Sequence, residues 1–164
     1  MTLLHLRRYR EAVDRFGVTE DLAPGWYHVR ADRWLSERLA TSAIDHAMFE
    51  RIRGLVDGAW APELALAEAQ RALALKEMGV LHLVAGNALQ RLGRAAEAET
   101  EYRNGLAIAE EPDVKTRLLT ALGGHIAERG EKERLLLQAL ELRGNLVAAA
   151  MATVMLKAVA KDAN

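Results

Sequence analysis

Residues 79–112 read GVLHLVAGNALQRLGRAAEAETEYRNGLAIAEEP. The architecture turns on this stretch. Its first part, Gly79 to Leu92, has the spacing of an amphipathic helix, and the run Leu92-Gly93-Arg94 then makes a turn. A second helix is expected over 95–109, antiparallel to the first. Gly86 and Ala98 are small, so the two helices can cross closely. Leu89 and Tyr102 fill the space beside that crossing, and Pro112 helps to stop the second helix.

The pattern of this hairpin repeats along the chain. Ala65-x3-Ala69-x2-Ala72-Leu73 recurs as Ala98-x3-Tyr102-x2-Gly105-Leu106. The unit is therefore a helix–turn–helix of about 34 residues. Further breaks fall at Asp21–Gly25, Asp57–Ala61, Met78–Gly79, Glu111–Asp113, Gly130 and Gly144–Asn145. Strand-type alternation is almost absent, and the breaks cut the chain into eight or nine predicted helices. Ser42 and Asp45 are placed as a capping box before Ile44, Met48, Ile52, Leu55 and Val56. Pro62 suits a first helical position, with Glu63 beside it, and Asn145 suits the cap of the last helix. The step from Gly93 to Gly130 exceeds one repeat, so the last unit is expected to be long by three residues.

The segment 79–112 resembles the tetratricopeptide repeat, whose pattern is Trp-x2-Leu-Gly-x2-Tyr, then Ala-x3-Phe, then Pro. His82 stands at the tryptophan position, Ala85-Gly86 at the leucine–glycine pair and Leu89 at the tyrosine. Ala98 and Tyr102 match the alanine and the aromatic, while Glu110 stands at the proline position and Pro112 comes two residues late. Tyr9, Ala12, Phe16 and Pro24 repeat the spacing of the family's second helix. The resemblance implies an all-α, helical-hairpin repeat solenoid of about eight or nine helices in a single domain over 1–164. Its parts would be a half repeat at 1–26, an inserted helix at 27–42, a degenerate repeat at 43–78, the matched repeat at 79–112, a second degenerate repeat at 113–144 and a terminal helix at 145–164.

Composition narrows the function. The 164 residues are 51% hydrophobic and 27% charged, which is a globular balance. The net charge of -1 offers no global attraction to nucleic acid. The cluster Arg7, Arg8 and Arg10 is followed by Glu11 and Asp14 and reads as a solvated helix face. Cysteine is absent, so neither a disulfide nor a thiolate metal site is available. The longest apolar stretch, Leu146 to Leu156, spans ~16 Å as a helix against a bilayer core of ~30 Å. The expectation is no membrane insertion and a cytoplasmic location, the periplasm remaining open if the chain belongs to a larger protein.

Candidate chemistry is sparse. No two of His5, His28, His46, His82 and His125 lie three to five residues apart, so no metal and no cofactor are expected. Ser36 and Ser42 sit in no nucleophile elbow, and Gly123-Gly124 lacks the lysine of a phosphate loop. The expectation is a protein that is not an enzyme. In the resembling fold, the first helix of each unit lines a concave groove for a peptide or helix. Carried onto this chain, the groove would be lined by Leu83, Asn87, Gln90 and Arg91, followed by Arg117 and Ala121. Asn87 would make a bidentate amide contact to extended backbone, and Arg91 and Arg117 would meet acidic groups. One subclass of the family grips a C-terminal carboxylate with a lysine where Leu83 stands here, so that grip is not expected. A solvated inner face is the alternative.

The terminal helix is unusually apolar. Thr153, Lys157 and Lys161 make one polar stripe, and Leu146, Val147, Ala150, Met151, Val154, Met155, Ala158 and Val159 fill most of the rest. It is expected to pack deep in its own chain or, through Met151 and Met155, to dock a partner or a second copy as a weak homodimer. The function these features suggest is a scaffold or adaptor that binds another protein or peptide. A small secretion chaperone and the soluble repeat region of a larger protein, membrane-tethered or not, are the alternatives.

Overall fold

The computed structural model describes residues 10–15, 61–142 and 144–161. The chain divides into two compact units, Met1–Asp57 and Gly58–Asn164. The division falls at the Asp57–Ala61 break. In the first unit, residues 10–15 are helical and Ala12 is buried. The capping box at Ser42, the inserted helix at 27–42 and the first half of the 43–78 repeat lie outside the described residues. All described secondary structure is helical.

In the second unit, six helices follow one another: α1 Pro62–Leu75, α2 Gly79–Arg91, α3 Ala95–Ile108, α4 Pro112–His125, α5 Arg129–Leu142 and α6 Leu146–Lys161. Their starts are almost evenly spaced, and every connection is three residues. Links this short leave an antiparallel neighbour as the natural arrangement. Each helix packs on the next, and α4 also touches both α2 and α6.

The helix ends follow from local chemistry. Proline opens α1 and α4, where its missing N–H is no loss, and Glu63 and Asp113 favour the positive end of each. Gly93 turns the chain between α2 and α3 at φ 74°, a conformation that L side chains resist. Asn145 does cap α6: its Oδ1 accepts from the Ala148 N–H at 2.8 Å. The expected lengthening of the last unit is not found. α3 starts at Ala95 and α5 at Arg129, an ordinary repeat apart, because Gly130 lies in the first turn of α5 and is not the counterpart of Gly93. Glu128 is the residue that starts α5, its carboxylate accepting from Gly130 N–H at 2.8 Å and Glu131 N–H at 2.5 Å. Those two backbone donors hold the Glu128 carboxyl below its ordinary pKa. Gly123-Gly124 likewise sits inside α4 without ending it.

The α2–α3 crossing is closed by one aromatic ring. Tyr102 is fully buried, as are Ala98 on its own helix and Ala85 opposite. A Cβ added at Gly86 would collide with the Tyr102 ring, so only glycine lets the ring rest against α2. Leu81, Leu118, Leu122, Leu136 and Thr116 are the other large fully buried side chains among the described residues.

α6 departs from expectation. Only Ala148 and Ala152 on it are buried, whereas Leu146, Val147, Met151 and Val154 are each at least 51% exposed. The expectation that this helix packs deep in its own chain is thus overturned among the described residues. α6 meets α4 and α5 along its narrow alanine edge, and that edge is too small to bury the larger side chains beside it.

Candidate functional site

The residues singled out by sequence fall into one register. α2 ends at Arg91 and α4 at His125, while α4 begins at Pro112 and α6 at Leu146. Each of these steps is the same single repeat. Leu83, Arg117 and Met151 are therefore equivalent positions, and so are Asn87, Ala121 and Met155. The predicted groove and the predicted docking helix are one row of positions on the three helices α2, α4 and α6. Burial relaxes along the first set: Leu83 is buried, Arg117 half-buried and Met151 exposed. Asn87, Ala121 and Met155 are all half-buried, and Gln90 and Arg91 are exposed.

Leu83 must be corrected. At 2% exposure its side chain belongs to the core, so it cannot line an open groove. The remaining positions keep access to solvent, though not as bare side chains. The Tyr102 hydroxyl reaches across the hairpin and donates to Asn87 Oδ1 at 2.9 Å and Gln90 Oε1 at 3.1 Å. Its single proton is shared between the two acceptors. The bond fixes both amides and leaves their N–H2 groups outside it. Burial raises the Tyr102 pKa well above its ordinary value, so the phenol stays a donor across the physiological range. His125 stands beside it with ring centroids 5.5 Å apart.

The next helix brings cation and carboxylate together. Arg117 Nη1 lies 4.0 Å from Asp113 Oδ2. Asp113 is buried and accepts from Asn145 Nδ2 at 2.7 Å, which ties the start of α4 to the start of α6. Thr116 accepts from Gly144 N–H at 3.1 Å, and Thr120 donates to the Ala148 carbonyl at 3.2 Å. These buried bonds hold α6 in register with α4. Met155 rests against Gly124, where an added Cβ would meet its Cε at 3.3 Å.

His82 is buried, and its Nδ1 lies 2.7 Å from Glu101 Oε2 on α3. It serves the hairpin rather than the row. Among the described residues, no three His, Cys, Asp or Glu gather in a way that would hold a metal ion. No described helix is long and apolar enough to cross a membrane. The row offers amide donors at one end, an arginine in the middle and thioether and methyl groups at the other.

Two features escape a reading of the sequence. The Tyr102 bridge to Asn87 and Gln90 leaves a trace in the spacing, because a tyrosine rather than phenylalanine at the aromatic position demands a hydroxyl partner. The Asp113–Asn145 bond leaves none, since a cap already accounts for Asn145. Comparisons with protein-family models, with curated proteins and with solved structures gave no match to this chain.

Proposed function

We propose that the chain is a non-catalytic scaffold or adaptor of tetratricopeptide-like architecture, and that the row on α2, α4 and α6 receives a peptide or helix of another protein. The observation that carries this is the repeat register, which puts Asn87, Ala121 and Met155 at equivalent, half-buried positions on successive hairpins. Partly covered side chains lose little motional freedom on binding, which lowers the cost of ordering them. Asn87 and Gln90 are further fixed by the Tyr102 hydroxyl, so their amide donors are already oriented.

The reading is tested with Gln90→Ala combined with Ala121→Arg, compared with the wild type in a tagged pull-down from the source cell with mass spectrometry. The first change removes a donor and the second crowds the middle of the row. A partner enriched by the wild type and lost by a variant that still melts at the same temperature supports the row. An unchanged partner list rejects it.

A further inference from the structure

The exposed flank of α6 has counterparts that the fold itself covers. In the repeat register, Val147, Ala150 and Val154 of α6 correspond to Asp113, Thr116 and Thr120 of α4, and to Gly79, His82 and Gly86 of α2. All six of those counterparts are buried, beneath the helices that follow them, while the three positions on α6 are exposed. The difference is one of cover: α2 has α3 and α4 packed on it and α4 has α5 and α6.

Charge says what kind of cover fits. α6 contains Lys157 and Lys161 and no acidic residue. Neither lysine makes an ion pair among the described residues. α2 also contains no acidic residue, and the helix that covers it, α3, brings Glu101, which meets His82 at 2.7 Å. We infer that the exposed flank of α6, formed by Val147, Ala150 and Val154 with Lys157 and Lys161 beside it, binds a single amphipathic helix of a partner protein whose apolar stripe is flanked by carboxylates.

A second copy is the weaker occupant. Pairing α6 with itself would gather four lysines and no carboxylate into one interface. Its four large exposed apolar side chains offer roughly 400 Å², about half of what each partner of a standard interface buries. One helix with carboxylates at its edge needs less area and neutralises the lysines.

The inference concerns a flank distinct from Asn87 and Gln90, so it stands or falls separately from the row. The probe is a labelled synthetic helix with leucines along one face and glutamates flanking them, alongside a twin with lysines in place of the glutamates, each titrated by anisotropy against the full chain. The glutamate peptide is expected to bind about tenfold more tightly than its twin, a gap that closes in high salt. Lys157→Glu/Lys161→Glu should invert the order of the two peptides. Val147→Ser/Val154→Ser should weaken the glutamate peptide about tenfold at an unchanged melting temperature. Equal binding of the twins, or undiminished binding by the valine variant, overturns the inference. So does sedimentation showing a dimer that the valine variant dissociates, which gives the flank to a second copy. Crosslinks from position 154 to residues 1–57 also overturn it, by giving the flank to the chain itself.

Discussion

α2 and α6 occupy the same place in the repeat, and they are finished in opposite ways. On α2 the flank is a glycine, closed by the Tyr102 ring, with His82 held by Glu101 at its side. On α6 the same positions carry valine and alanine and face solvent. Small residues at a crossing are useful only when something large lies across from them. The difference separates residues that hold the fold from residues that face solvent, and it runs against composition, because the more apolar of the two helices is the more exposed.

The contrast is tested most severely by removing the ring that closes α2. Tyr102→Ala is expected to lower stability by about 4 kcal/mol in urea melts, because a fully buried aromatic leaves a cavity that helix backbones cannot collapse to fill. A loss under about 1 kcal/mol would mean that the hairpin does not depend on the ring. The hydroxyl can be isolated with a smaller change. Tyr102→Phe should cost about 1 kcal/mol, the usual net worth of a hydrogen bond. It should also change the pH profile. The folded chain keeps the phenol proton that the unfolded chain releases near pH ~10, so this group's contribution is complete below that pH and declines as pH rises above it. Wild type should therefore lose midpoint faster than the phenylalanine variant above about pH 10. Parallel profiles would place the hydroxyl in open water. At the open end the effect should be smallest. Val147→Ser with Val154→Ser should change stability by no more than about 0.5 kcal/mol, as expected for surface positions. A cost comparable to Tyr102→Phe would show that the flank is covered.

How far the sequence can be read depends on whether a feature is local. The Gly93 turn, the proline start of α1 and the Asn145 cap are settled within a few residues of chain, and each appears where the sequence places it, while Pro112, read there as a stop, also opens α4. The close crossing at Gly86 and Tyr102 is legible too, since spacing alone brings them face to face. Gly130 misleads because a glycine in a first helical turn and a glycine in a turn look alike, and the real signal is the Glu128 carboxylate two residues earlier. Spacing also picks out the members of the row. It does not say which of them face solvent, because Leu83 and Met151 share one position in the repeat and differ only in how much of the chain lies over them. For α6 the apolar count suggests burial, but burial needs a neighbour large enough to provide it, and α6 buries only Ala148 and Ala152, with Met155 half-covered against Gly124.

The three-residue links and the pattern of neighbours also bear on how the second unit forms and comes apart. Each pair of touching helices lies one or two steps apart along the chain, so each contact closes only a short loop. Short loops cost little entropy, and domains assembled from them fold quickly. They also open from whichever end has least on it. Amide exchange should therefore be graded among the six helices, slowest around Tyr102 and Leu118 and faster in α1 and α6. A partner seated on α6 would then be felt as slower fraying of the helix it touches, with a smaller echo in α4 and little change in α2.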